Sequence, residues 1–82
     1  MVDTANKFSL WAIEIFVASV EEGSISAAAK RLNSSNSTIS QQLTNLEAAL
    51  GSELLDRSTR PMKLKPTGQL FLHRARAILS EV

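Results

Sequence analysis

No cysteine occurs in the chain, which excludes a disulfide framework and a thiolate metal site. No apolar run approaches the roughly 20 residues that span a bilayer. The opening MVDTANKF lacks the basic-then-apolar plan of a signal peptide. The parts of an enzyme are equally scarce. The one histidine, His73, lies beside Arg74 in a helical segment, and there is no G-x-S-x-G elbow, no carboxylate pair and no glycine loop placed for phosphate chemistry. The chain is therefore expected not to be an enzyme and to need no cofactor and no metal. A more local absence lies between Asn36 and Asn45, which carries no charge although 21% of the chain is charged.

What is present fits one small domain of 82 residues. The apolar fraction of 44% argues against disorder. The net charge of +1 says little, but its distribution says more. Residues 1–53 hold three basic against six acidic residues, a balance of −3. Residues 54–82 hold six basic against two acidic residues, a balance of +4, concentrated in RSTRPMKLK.

Helical spacing marks most of the chain. Ser9 is a good N-cap, with Phe8 able to staple onto Ile13, for a first helix over Leu10 to Glu22 that stops at Gly23. Leu10, Ile13, Phe16, Val17 and Val20 recur at that spacing and are expected to face the core, with Trp11 half-buried. SISAAAKRLN predicts a second, short helix capped by Ser26 and closed by Asn33, whose alanine run lets another helix approach closely. Ser35 then caps a third helix from Asn36 to Leu50, ended by Gly51. Ile39, Leu43, Leu46 and Leu50 form a single narrow stripe on it. The opposite face is Ser37, Gln41, Thr44 and Ala48, flanked by Ser40 and Asn45.

Beyond Gly51, ELLDR and MKLK flank the turn-rich STRP and predict a small β-hairpin, kept short by Pro61. Pro66 fits the first turn of a fourth helix. Its apolar stripes exceed what one face against a small domain needs; they form either an extra-wide core stripe or, as the favoured expectation, a surface buried against a second subunit through Leu70, Phe71, Arg74, Ala75, Ile78, Leu79 and Val82.

This order is the plan of a winged helix-turn-helix: a mainly α fold of three helices and a β-hairpin wing, followed by a long C-terminal helix. The domain is expected over residues 8–65, with the helix-turn-helix at about 25–44 and the wing at about 53–65. The dimerisation helix is expected over residues 66–82. Hydroxyls and amides on the third helix can bond base edges or phosphate oxygens, and Gln and Asn suit the N6/N7 edge of adenine. Carboxylates there would face phosphate charge. The free N–H groups at Asn36 and Ser37 also favour a phosphate. The candidate DNA-binding residues are therefore Ser35, Asn36, Ser37, Thr38, Ser40, Gln41 and Thr44, with Arg57 and Arg60 of the wing reaching phosphate or a minor groove. The alternative is a winged helix that serves protein assembly and meets DNA only incidentally.

The residues also resemble the N-terminal domain of LysR-type transcriptional regulators over roughly Leu10 to Val82. The marks are E-E-G-S at Glu21 to Ser24, A-A-x-x-L at Ala28 to Leu32, S-x-Q-L-x-x-L-E at Ser40 to Glu47, L-G at Leu50 and Gly51, L-L-D-R at Leu54 to Arg57, and R-P at Arg60 and Pro61. The resemblance implies a dimer, commonly a tetramer, bound to dyad-symmetric promoter DNA in the bacterial cytoplasm. It places base and phosphate contacts on Ser35, Asn36, Ser37, Ser40 and Gln41, the minor-groove arginine on Arg60, and Arg57 near the backbone. It also implies a larger C-terminal domain for a small-molecule inducer, making this chain an excised DNA-binding fragment, with no membrane partner. Four positions depart from the family's habit. Ser34 stands where an apolar residue is usual, Asn36 where Gln or Pro is frequent, and Gln41 where many members have Arg. Lys65 replaces a Ser or Thr cap, whose loss costs about 0.5–2 kcal/mol.

Overall fold

The computed structural model describes residues 9–81; Phe8, the expected staple, lies outside them. Helix α1 (Leu10–Glu22) begins where the Ser9 hydroxyl accepts the Ala12 N–H at 3.2 Å, and ends at Gly23, whose φ of 81° reverses the chain. Helix α2 (Ile25–Arg31) is capped by Ser24 and not by Ser26. The turn at Gly23 delivers Ser24 in the extended conformation that a cap requires, and its hydroxyl accepts the Ala27 N–H at 3.0 Å. Asn33, at φ 56°, turns the chain toward the next helix. The Ser34 N–H donates to the Ala29 carbonyl at 2.8 Å, so backbone holds this turn where a larger apolar side chain is missing. Helix α3 (Asn36–Leu50) starts with the Ser35 hydroxyl accepting the Thr38 N–H and ends at Gly51.

Helix α1 is the hub, because α2, α3 and α4 all pack on it. It buries Ala12, Ile13, Ile15, Phe16, Val17, Ala18 and Ser19, well over half its circumference. Leu10, expected in the core, is 47% exposed. A helix packed on three sides cannot be read as one stripe, and its first residue lies beyond its neighbours. The buried Ser19 hydroxyl donates to the Ile15 carbonyl at 2.8 Å, which satisfies it within its own helix. Ala28 and Ala29 lie fully inside, as the close-approach reading of the alanine run requires. Ile39, Leu43 and Leu46 of α3 complete that side of the core.

Strands β1 (Leu55–Asp56) and β2 (Lys63–Leu64) pair antiparallel, Leu55 opposite Leu64 and Asp56 opposite Lys63. The wing is tied down near its tip, where the Met62 N–H donates to the Gly23 carbonyl at 3.0 Å. At its root the Lys65 N–H donates to the Leu54 carbonyl at 2.9 Å. Helix α4 (Pro66–Ser80) has no side-chain cap. The Thr67 hydroxyl donates to the Glu53 carbonyl at 2.7 Å and fastens α4 to the segment before β1.

The apolar faces of α4 divide differently from the sequence expectation. Ala75, assigned there to the subunit interface, is fully buried in the chain's own core. Phe71 and Leu79 are half-buried against that core, and the Phe71 ring meets Phe16 edge-on at 5.2 Å. Alanine on the inward face lets α4 settle onto α1, leaving Leu70, Arg74 and Ile78 outside. Val82 lies outside the described residues. Glu21 links three helices, accepting from Arg31 at 2.8 Å and Arg76 at 3.2 Å. The Arg31 hydrogen bond is the main cause that holds the Glu21 carboxyl below the usual glutamate range. No helix of the described residues is long and apolar enough to cross a membrane.

Candidate nucleic-acid interface

Burying Ile39, Leu43 and Leu46 turns the other side of α3 outward. Ser37, Gln41, Thr44 and Ala48 are all exposed, as are Asn36, Thr38 and Asn45; Ser40 is half-buried. The outward row carries hydroxyls and amides and no charge. At its N-terminal end the Ser35 hydroxyl also donates to the Thr38 hydroxyl at 2.9 Å and lies 3.3 Å from that of Ser37. These short side chains are therefore ordered by one another around the positive end of the helix. Farther along, the Gln41 amide donates to the Asn45 side-chain carbonyl at 2.9 Å.

The wing stands beside this row. Arg57, half-buried, donates to the Glu47 carboxylate at 3.0 Å and to the Thr44 hydroxyl at 3.4 Å. The second Glu47 oxygen accepts the Leu54 and Leu55 N–H groups at 2.7 and 3.2 Å. One carboxylate on α3 thus holds both the backbone entering β1 and the guanidinium at the wing's root. Lys65 is paired with Glu53 at 2.7 Å, an exposed pair in which that hydrogen bond lowers the glutamate pKa and raises the lysine's. Asp56 is engaged by Ser58 through hydroxyl and N–H, which lowers its pKa. Among the described residues, Arg60 and Lys63 are exposed wing cations with no ion-pair partner. The electropositive reach of the wing therefore rests on its turn and outer edge.

Sequence reasoning did not find Glu47 as the fastening point. The only signal was an isolated acid between the core leucines Leu46 and Leu50. Two of its partners are backbone N–H groups, which no side-chain pattern records. Glu47→Gln should lower stability by about 1–3 kcal/mol, because the amide sets a donor against at least one of three donors. Urea denaturation measures this, and a midpoint equal to that of the parent would remove Glu47 from the role.

The model of bacterial regulatory helix-turn-helix proteins of the lysR family matches residues 10–69. The HTH-type transcriptional regulator BenM of Acinetobacter baylyi is 43% identical over 70 residues, which are 85% of this chain and 23% of BenM. The chain thus spans less than a quarter of that relative. Among solved structures, the complex of the BenM DBD with catB site 1 DNA superposes with a TM-score of 0.87 at 40% identity, covering 90% of this chain and 80% of that one. A CbnR DBD–DNA complex superposes with a TM-score of 0.85 at 42% identity, covering 89% of this chain and 84% of that one.

Proposed function

The chain belongs to the lysR family of bacterial regulatory helix-turn-helix proteins, and from that premise we propose that it is a sequence-specific reader of double-stranded DNA. The observation that carries this is the outward, acid-free row Ser37, Gln41 and Thr44, with the wing root touching Thr44 through Arg57. Helix α3 lies in the major groove, where its amides and hydroxyls meet base edges and phosphates. Ser35, Asn36, Thr38 and Ser40 serve the same face. Arg60 enters the adjacent minor groove, and Arg57 holds the wing in place beside the sugar–phosphate backbone.

The DNA-bound form is a dimer through α4. The support is an exposed apolar stretch, Leu70 at 61% and Ile78 at 40% exposure with Arg74 between them. An apolar groove of about 260 Å³ beside it is lined by Leu50, Leu54, Thr67, Leu70, Phe71 and Arg74. Phe71, half-buried at the edge of that groove, borders the same contact.

Salt dependence tests the reading. The logarithm of the affinity for duplex DNA should fall linearly with the logarithm of salt concentration, by about 0.9 for each phosphate neutralised. Arg60→Ala should reduce that slope by about one and weaken the preference for A·T-rich flanks. A flat line for the parent chain would favour the protein-assembly reading. A parent-like Arg60→Ala would remove Arg60 from the groove.

A further inference from the structure

The Gln41–Asn45 hydrogen bond joins two exposed amides one turn apart on α3, with a nitrogen-to-oxygen distance of 2.9 Å. Both amides lie on the outward side of the helix, and neither is needed to hold the fold. We infer that Asn45 is a specificity-positioning residue: it holds the Gln41 amide in the orientation that reads adenine. This rests on the proposed docking of α3 in the major groove.

A glutamine amide has two N–H donors and one carbonyl acceptor. Donation of one N–H to Asn45 leaves Oε1 and one N–H free. Adenine presents the complement in the major groove, its N6 amino group as donor and its N7 as acceptor. An isolated glutamine at an exposed site samples many rotamers, and binding must select one. A glutamine already tethered loses less freedom when it engages the base. Asn45 Oδ1 supplies the tether. The Asn45 amide nitrogen has no role in this assignment.

The two ends of the pair predict different mutant behaviour. Asn45→Ala frees the Gln41 side chain without removing it, so the preference for adenine at the base pair it reads should fall roughly three- to tenfold. Asn45→Asp keeps the accepting oxygen but adds a charge near phosphate. Affinity should then drop for all sequences while the adenine preference survives. Gln41→Ala should remove the preference altogether, and Asn45→Ala should have no further effect on it in that background. Both sites are exposed, so thermal unfolding followed by circular dichroism should be unchanged for each variant.

The experiment selects duplexes from a random pool with the parent chain. It then measures the affinity of all variants for the selected site and its single-base-pair changes. Loss of preference in Asn45→Ala, its retention in Asn45→Asp and a silent Asn45→Ala in the Gln41→Ala background support the inference. Asn45→Ala that weakens every duplex equally marks a phosphate contact and overturns it. A rise in adenine preference in Asn45→Ala also overturns it, because the hydrogen bond then restrains Gln41 from the base. A pool from which the parent chain enriches no sequence overturns the DNA-reading proposal itself, and this inference with it.

Discussion

Gln41→Glu should abolish tight DNA binding while leaving the fold intact. The two side chains have the same shape, and the site is exposed at the middle of α3's outward row. Exposed substitutions of this kind change stability by less than about 0.5 kcal/mol. In the proposed docking, however, the carboxylate would enter a groove walled by phosphate and bordered by base-edge acceptors, without the amide's donors. Like charges brought together at an interface cost several kcal/mol, so affinity should fall by about 100-fold or more. Added salt should narrow the gap between mutant and parent, because screening weakens the new repulsion. A titration of selected duplex by fluorescence anisotropy measures the loss, and circular dichroism checks the fold. Binding within a few-fold of the parent would place the row outside the groove.

Gly68→Ala should be the most damaging small substitution in the chain. In an ordinary helix interior the change would stabilise by up to about 1 kcal/mol, since glycine is the poorer helix former. Gly68 is different because it is buried where α4 crosses the segment leading into β1. A Cβ there would overlap the Leu54 carbonyl oxygen and stand 2.8 Å from Leu64 Cδ1. The obstacle is backbone and cannot rotate away. To relieve it, α4 must move off, stretching the Lys65 N–H to Leu54 and Thr67 to Glu53 hydrogen bonds. Overpacking costs about 1–3 kcal/mol and occasionally more, which outweighs the gain in helix propensity. At about 4–8 °C per kcal/mol for a domain of this size, the melting temperature should fall by about 10 °C or more. A higher melting temperature for the mutant would show that α4 does not make this close approach.

The contrast between α1 and α3 shows which parts of the molecule could be read in its sequence. Both helices begin and end where serine caps and glycines place them, since capping is local chemistry carried by the residues themselves. The single stripe on α3 fixes its buried side, and so its outward row, because one side of that helix meets the core. Helix α1 defeats the same reasoning at Leu10, Ile15 and Ser19, because three neighbours enclose it. Ala75 was misplaced for a related reason: an alanine on α4 looks alike whether it admits a neighbouring helix of its own chain or one from a partner. The α2 cap shifted to Ser24 because two serines offer the same hydroxyl and only the turn geometry chooses between them. On the candidate interface, the exposure of the hydroxyl and amide row was legible but the pairings were not. Glu47's partners include backbone, and the sequence does not say which of the neighbouring amides Gln41 meets; in the structure it is Asn45.

The wing is fastened to the rest of the domain at both extremities, by Glu47 beside its first strand and by the Gly23 carbonyl under Met62. The separation between α3 and the wing's turn is therefore built in before any encounter with a duplex. Nucleic acid that meets both at once has to supply the compliance, by bending or by altering its groove width. Sites with easily deformed pyrimidine–purine steps between the two contacts should then be favoured even where no side chain touches them.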